Sequence, residues 1–550
     1  MVPGTSLVLC SSMATLTSLT KKRWIARGGL PLESLQGVRA RTLAMDLARE
    51  RGLSAQPTPY PMPPDMARAV QRVHAAMKSS ERVGIFGDYD CDGITGVAQI
   101  VRYIRRCGQE PVVRLPHRVH DGYGLTAKIA EEWIEHGMSL LITVDTGITA
   151  IEPIALLQSK GIDVIVVDHH HVPEELPPAY AILHPGLTPG FSPPHPSGAG
   201  MAFLFLQGLE GPVWEDMHTD RALAMMGTVG DLVELRGINR QLVQDGLRSL
   251  QDLETGPLAK LREETTSGRI TSTDVAFRIA PRLNAAGRMD DPAIALHALL
   301  QGGAPLERLH ALNKMRQETT AHLVDQAFAD IARQPTVLKA SAHAEYPHGI
   351  IGLIAGRLAE STGCPSMIGV VCGDHITASL RSPARYHVTE GLRRISHLLK
   401  SFGGHAQAAG CSFPAEQWDD VCKNLEQDIL TECAAEDFVP TIEVDALLPA
   451  EEVSLALATS LRQLEPFGQG NPEPKFLLRD VPVLDKRRVG DDGKHLQMRL
   501  GTHKAIAFGF GDHEMGISKT IDALCRIGIN AWQGRAQVQL FVEDMQTRNA

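Results

Sequence analysis

Between about residues 82 and 170, short apolar runs alternate with helix-like segments, and that alternation constrains the fold more than any other feature. Val83-Gly84-Ile85-Phe86 reads as a buried strand, and Ile94 to Cys107 as a helix stopped at Gly108. Pro111 to Leu115 reads as a second strand, followed by a helix from Thr126 to His136 that ends at Gly137, the residue type favoured just past a helix end. Ser139 to Val144 is a third strand. Thr149 and Glu152 suit a capping box opening a helix that closes at Gly161, and Asp163 to Val167 is a fourth strand. Such β-α-β-α alternation predicts a parallel sheet with helices on both faces.

The rest of the chain changes style twice. Residues from about 220 to 335 look helical, with an uninterrupted run LERLHALNKMRQETTAHLVDQAFADIARQ suited to a long joining helix. After Thr336 strand-like runs return (PTVLKAS, PSMIGVV, HITASL), with GLRRISHLL helical. From about residue 440, short β-like runs separated by turn residues suit a small antiparallel barrel. With 550 residues, 43% of them apolar, more than one core is required.

The parallel-sheet reading has a chemical consequence. Its first strand runs into GDYDCDG, with Asp88, Asp90 and Asp92; its third into Asp145; its fourth into Asp168, His169, His170 and His171. In an open parallel sheet the carboxyl ends of the strands share one edge, where ligands bind, so residues far apart in sequence should converge. Each motif alone also reads as an ordinary turn or solvated loop; the three together, each at a strand end, favour a site. Clustered carboxylates repel one another unless cations join them. Oxygen ligands with imidazole and no thiolate suit Mn²⁺ or Mg²⁺, and two such ions are a usual device for phosphate-ester hydrolysis.

Other classes are excluded or disfavoured. There is no GxxxxGK[ST] loop, no GxGxxG after a strand, no GxSxG elbow and no HExxH helix. The formal charge of −10 argues against a nucleic-acid coat protein but not against an enzyme with a local basic groove. None of the nine cysteines forms a CxxC pair, no apolar run is long enough to span a membrane, and the N-terminus lacks the order of a secretory signal, which together suggest a cytoplasmic protein.

DYDCDG, VDTG and DHH at these intervals resemble the DHH phosphoesterase superfamily. GDLVELRGINRQLV, RIAPRLNAAGRMDDP, YPHGIIGLIAGRLAE, FGGHAQAAG and LEPFGQGNPEP narrow the resemblance to RecJ-type single-stranded-DNA-specific exonucleases, from about residue 60 to near the C-terminus. The resemblance implies an α/β architecture. An N-terminal extension (1–45) precedes a parallel-sheet DHH domain (46–300), joined by a connecting long helix (301–335) to an α/β DHHA1 domain (336–438) and a C-terminal β-barrel OB-fold (439–550).

By the same resemblance, Asp90, Asp92, Asp145, His169 and Asp231 match metal ligands, with Asp145 bridging. Asp88 is an outer ligand or a supporting group, His170 contacts the scissile phosphate, and Asp168 orients the histidines. Arg282, Asn284 and Arg288 suit phosphate contacts, although a helix start with surface arginines reads equally well. Gly403, Gly404 and His405 form a loop able to present N–H groups, or a tight helix–strand turn. Arg381 and Ser382 match nucleotide-facing positions, His348 reads equally as structural, and Tyr123 stacks or packs. Lys486, Arg487, Arg488, Lys494 and Trp532 are candidates for single-strand binding on the barrel, or a solvated basic turn. Phe86 stands where many small DHH phosphoesterases carry a metal-binding histidine, a departure shared by the RecJ-like set.

The implied function is a Mn²⁺- or Mg²⁺-dependent 5′→3′ exonuclease that degrades single-stranded DNA to mononucleotides in repair and recombination. It would act as a monomer, with a single-strand-binding protein or a helicase as partner. The alternatives are a hydrolase of short oligonucleotides or cyclic dinucleotides, and an inactive replication scaffold. The retained ligands speak against the scaffold.

Overall fold

The computed structural model describes residues 18–29, 31–35, 40–53, 60–118, 120–122, 124–332, 336–490, 492–532 and 535–547. The chain divides into two compact units: residues 48–437 with 465–472, and residues 1–47 with 438–464 and 473–550.

In the larger unit, five parallel strands form one sheet: β1 (Val83–Gly87), β2 (Val112–Arg114), β3 (Leu140–Val144), β4 (Asp163–Val167) and β5 (Ala181–Leu183), ordered β2-β1-β3-β4-β5. Alternate residues feed opposite faces. Ile85, Ile142, Val144 and Val167 join one apolar cluster, and Phe86, Leu141, Val164 and Val166 join another. The expected sheet is therefore present, and Phe86 is a fully buried member of its core. Helix α1 (Cys91–Arg106) begins earlier than its apolar run suggests, because Asp90 caps it by accepting from the N–H groups of Asp92 and Gly93. Thr126 caps α2 (Ala127–Glu135) as its sequence implies. The Thr149–Glu152 capping box does not form: α3 (Ile151–Ser159) starts after Ala150 with no side-chain cap. The loop before it is held instead by Asp168, whose Oδ2 accepts from the Ile148 N–H at 2.9 Å.

Helices α1 and α4 (Gly198–Glu210) pack on this sheet, and α5 (Met217–Gly230) packs on both of them. A π turn at Val275–Ile279 runs directly into α6 (Ala280–Met289), and α7 (Gly303–Ile331) is the long helix. A second, mixed sheet follows: β6 (Lys339–His343), β7 (Ser366–Cys372), β8 (His375–Arg381), β9 (Ser401–His405) and β10 (Ala408–Pro414), in the order β9-β10-β8-β7-β6. Helix α8 (Ile351–Thr362) packs on β7 and β8. Gly403 and Gly404 thus lie in an edge strand, paired with Gly410 and Ala409, and not in the loop or turn expected from a Gly-Gly pair. Ladder pairing with β10 absorbs them, and the φ of +139° at Gly404 is one that only glycine takes readily.

In the smaller unit, β11 (Phe476–Val489), β12 (His495–Leu500), β13 (His503–Ala507), β14 (Thr520–Trp532) and β15 (Arg535–Thr547) close on themselves through β11–β14 pairing. This is the expected barrel. The N-terminal segment belongs to it: Arg23–Ala26 pairs in parallel with Thr441–Val444, and the Trp24 indole donates to the buried Asp544 at 2.8 Å.

Candidate metal centre and phosphate site

The order β2-β1-β3-β4-β5 reverses direction between β1 and β3, and crevices at such switch points are where open α/β sheets bind ligands. Both strands end there in acid. Asp88 follows β1, and Asp145 follows β3 with its N–H on the Val167 carbonyl at 2.8 Å. Asp145 takes φ +60°, a left-handed conformation that non-glycine residues occupy at some cost and that clusters at functional sites. Gly198 makes room for it: a β-carbon there would stand 2.5 Å from the Asp145 carboxylate. Gly198→Ala is therefore expected to displace Asp145 and lower kcat/KM at least about 100-fold, since a shift of an ångström can cost that much. Steady-state kinetics on a chain with unchanged circular dichroism checks this; retained activity would show that Asp145 need not hold its position.

The remaining acids arrive from other elements. Asp92 lies in the first turn of α1, and its carboxylate accepts from the Gly198 and Ala199 N–H groups at 2.6 and 3.0 Å, at the positive end of α4. Asp231 follows the last residue of α5. His169 reaches across them all, with Nε2 3.1 Å from Asp145 Oδ1, 3.7 Å from Asp92 Oδ2 and 3.7 Å from Asp231 Oδ2. Three donor sets result, each within 4.8 Å: Asp88, Asp90 and Asp145; Asp92, His169 and Asp231; and Asp145, His169 and His170. Six of the eight carboxylate and imidazole positions expected at the sheet edge, Asp88, Asp90, Asp92, Asp145, His169 and His170, are in these sets; Asp168 stands behind His170, and His171 is exposed and takes no part.

Its electrostatics are those of a site built for cations. Burial, then the neighbouring Asp90, pushes Asp88 up to about 8; burial, then Asp92 and Asp90, pushes Asp231 up to about 8. Asp145 is raised well above the ordinary carboxylate range by burial and then by Asp92, Asp90, Asp88 and Asp231. Asp88 Oδ1, Asp145 Oδ1 and His169 Nε2 are buried without a hydrogen-bond partner; the 3.1 Å approach of the last two lacks hydrogen-bond geometry. Burial lowers the pKa of His169, which favours the neutral ring that a metal ligand must present. Oxygen and imidazole donors fit Mn²⁺ or Mg²⁺. The Cys91 thiol sits apart, against the Met226 carbonyl at 3.5 Å.

His170 is held differently. Its Nδ1 donates to Asp168 Oδ1 at 2.7 Å, and its carbonyl accepts from His184 Nε2 at 2.8 Å. Although burial opposes the charge, the Asp168 carboxylate outweighs it and raises His170 to about 9. Asp168, which also accepts from the N–H groups of Ile148, His169 and His170, is itself held below its ordinary value by His170 against the effect of burial.

Beside the acids stands a group of arginines. Burial, then Arg118, Arg316 and Arg381, pushes Arg288 down to about 9. Since a guanidinium keeps its proton in proteins, this depression registers first the burial of a charge and then the neighbouring arginines, both of which a bound anion would offset. Arg288 Nη1 donates to the Gly349 carbonyl at 3.0 Å, Arg118 lies 4.3 Å over the Tyr89 ring, and Arg381 Nη1 donates to Ser379 Oγ at 3.2 Å. Arg118 was not singled out by sequence, although it follows β2 and the same sheet-edge rule reaches it.

Other expected contacts are placed differently. The Ser382 hydroxyl is buried and donates to the Tyr386 carbonyl at 2.8 Å within its own turn, so Ser379 is the serine beside Arg381. Asn284 Oδ1 accepts from the Cys91 N–H at 2.7 Å, bracing the acidic loop. Arg282 neighbours Arg278 and Arg316, not the carboxylates. His405 is exposed at the end of β9, and His348 Nε2 meets Cys372 Sγ at 3.3 Å. On the barrel, Lys486 donates to two carbonyls, Arg488 pairs with Glu514 at 3.2 Å, and Lys494 with Asp492 at 2.6 Å. Partners in the turn at residues 511–517 and the neighbouring Asp492 thus occupy those cations. Tyr123 and the Trp532 side chain lie outside the described residues.

Three families match in succession along the chain: the DHH family, N-terminal domain, over residues 82–229; the DHHA1 domain over 334–431; and the RecJ OB domain over 444–544. The single-stranded-DNA-specific exonuclease RecJ of Thermus thermophilus is 32% identical over 497 residues, covering 88% of this chain and 71% of that protein. The chain belongs to the RecJ family. The Haemophilus influenzae RecJ is 31% identical, covering 86% of this chain and 89% of its own length. The Bacillus subtilis RecJ is 30% identical over 87% of this chain, which spans 63% of that relative's length. The Mn²⁺ complex of Thermus thermophilus RecJ superimposes with a TM-score of 0.81 at 28% identity, covering 96% of this chain and 80% of that one. Its Mg²⁺ complex gives 0.74 at 27% identity, covering 96% and 79%.

Proposed function

We propose that this chain is a metal-dependent 5′→3′ exonuclease that hydrolyses single-stranded DNA to mononucleotides. The observation that carries the reading is the convergence of two oxygen-rich donor sets and an arginine group on one edge of the parallel sheet. Asp88, Asp90 and Asp145 would hold one Mn²⁺ or Mg²⁺, and Asp92, His169 and Asp231 a second. Bound divalent cations supply an acidified water and neutralise charge on the phosphate.

The chain's own groups do the rest. Asp168 keeps the proton on His170 Nδ1, so that a protonated His170 offers its second N–H to a non-bridging phosphate oxygen. Arg118, Arg288 and Arg381 receive flanking phosphates, for which the guanidinium fork is suited. Asn284 and Gly93 hold the acidic loop in place: a β-carbon on Gly93 would stand 2.6 Å from the Asp88 carbonyl. Polarity, mononucleotide products, a repair or recombination role, cytoplasmic location, and assistance by a single-strand-binding protein or helicase are carried by family membership.

The test is digestion of single-stranded DNA labelled at either end, with Mn²⁺ or Mg²⁺, beside Asp145→Ala. Metal-dependent release of the 5′ label as mononucleotide, lost in the variant and absent on blunt duplex, is the expected result. Cleavage confined to very short oligomers would overturn it in favour of a small-oligonucleotide hydrolase.

A further inference from the structure

The last strand of the parallel sheet also runs into an imidazole. His184 follows β5 and is 1% exposed. Its backbone is fixed on both sides. The Leu183 carbonyl before it accepts from the Asp168 N–H at 3.2 Å. Its own carbonyl accepts from the Leu187 N–H at 3.2 Å and the Thr188 hydroxyl at 2.7 Å, which closes the turn at Pro185–Leu187. A β-carbon on Gly186 would stand 3.2 Å from the His184 ring and 3.2 Å from Val172 Cγ2, so this turn lies close against the chain just after the histidine run.

The hydrogen bonds of the ring select one tautomer. The Gly186 N–H donates to His184 Nδ1 at 3.0 Å, and a backbone amide can only donate, so Nδ1 carries no proton. The proton of the neutral ring is on Nε2, which donates it to the His170 carbonyl at 2.8 Å. A buried histidine with both nitrogens satisfied is ordinarily structural. What distinguishes His184 is the residue it holds. The His170 side chain is 36% exposed, so packing alone does not fix the ring that meets the phosphate. Asp168 anchors that ring at Nδ1, at 2.7 Å, and His184 anchors the backbone from which it projects. Two anchors, one on the ring and one on the peptide, set where His170 Nε2 points, to the tolerance of about 0.5 Å that a reacting group demands.

We propose that His184 is a positioning residue for phosphodiester hydrolysis, acting through the His170 carbonyl to aim the His170 ring at the scissile phosphate. This rests on the exonuclease reading and on the phosphate contact given there to His170. The two donor sets assigned to metal draw on His169 and not on His170. Loss of His184 therefore strikes turnover and spares metal binding.

The test measures kcat and KM on single-stranded DNA, and Mn²⁺ affinity by calorimetry without DNA. The proteins are the wild type, His184→Met, His184→Gln, His170→Ala, and His184→Met combined with His170→Ala. Methionine adapts to irregular gaps, so it fills the space of the ring while removing the donor. It is expected to lower kcat about 10- to 100-fold, the usual cost of losing a group that orients an active-site residue, with KM and Mn²⁺ affinity unchanged. Glutamine carries an amide N–H that reaches as far as Nε2, and is expected to recover most of the loss. In the His170→Ala background, His184→Met is expected to cost nothing further, because no ring is left to aim. Equal losses from His184→Met in both backgrounds would overturn the proposal in favour of a purely structural histidine. So would a His184→Gln enzyme as slow as His184→Met, or a fall in Mn²⁺ affinity that matches the fall in kcat. A His170→Ala enzyme as fast as the wild type would overturn it by removing the phosphate contact it serves. A wild type without metal-dependent cleavage would instead overturn the exonuclease reading itself.

Discussion

Asp145→Asn is expected to lose at least about a thousand-fold in kcat, equivalent to about 4 kcal/mol, while making the metal-free protein more stable. The two effects share one cause. Asp145 is 3% exposed, stands among Asp88, Asp90, Asp92 and Asp231, and takes φ +60°. Its charge is useful only when cations are bound; without them the folded chain must keep a proton on Asp145 that the unfolded chain has released, which costs stability at neutral pH. Asparagine keeps the shape and tolerates the left-handed conformation, so the substitution removes charge with little change in packing. Removing that cost stabilises the metal-free chain by about 1.4 kcal/mol for each unit by which the folded pKa is raised, up to the working pH. Melting in EDTA should therefore move to higher temperature in the variant, and the upward shift that Mn²⁺ gives the wild type should shrink. Near-wild-type hydrolysis, or a metal-free variant less stable than the wild type, would show that Asp145 is not the acid the cluster depends on.

The carboxylates could be found from sequence because β-strands in a parallel sheet end at a common edge, so that three acidic loops become neighbours once the alternation is seen. Asp231 was not reachable that way; it sits at the end of a helix, and only the resemblance pointed to it. The misplaced expectations share a physical origin in partners distant along the chain. Gly403 and Gly404 carry local turn propensity, which the ladder to Ala409 and Gly410 overrides. The serine beside Arg381 is Ser379, two residues back, because alternate residues of β8 share a face, whereas Ser382 has already turned into a loop. The Lys-Arg-Arg run on the barrel reads equally as a DNA surface or a solvated turn, and Glu514, from the turn at Gly511–Gly516, pairs with Arg488. Arg118 follows β2 and so falls under the rule that found the acids, but a lone arginine after a strand carries no charge-cluster signal of its own.

The metal-free protein is expected to lose stability steadily between about pH 6.5 and 8, and added Mn²⁺ to protect it more strongly as pH rises. The sign follows from which state holds more protons. Asp88 and Asp231 rise from 3.8 to about 8 in the folded chain, so across this window the folded state keeps protons that the unfolded state has released. Stability conferred by a raised carboxyl is present at low pH and lost as pH climbs through the folded value. His170 acts in the same direction: its folded value of about 9 exceeds 6.5, so its contribution is full below 6.5 and fades toward 9. His169 is opposed, because burial lowers it below 6.5; it makes stability rise with pH, but only below that value, outside the window. Asp168, held below its ordinary value, loses its contribution only under acid conditions and is also outside. Bound cations take the place of the protons, so metal uptake must release them and affinity must climb with pH. Urea midpoints at about pH 6.5, 7.25 and 8, with EDTA and with Mn²⁺, measure both trends. Calorimetric titration of Mn²⁺ in buffers of different ionisation enthalpy counts the protons released. A metal-free midpoint that is flat or rises across the window would mean that the acids are already ionised in the empty cluster. The repulsion that makes this edge of the sheet a cation site would then be relieved by some means other than protons.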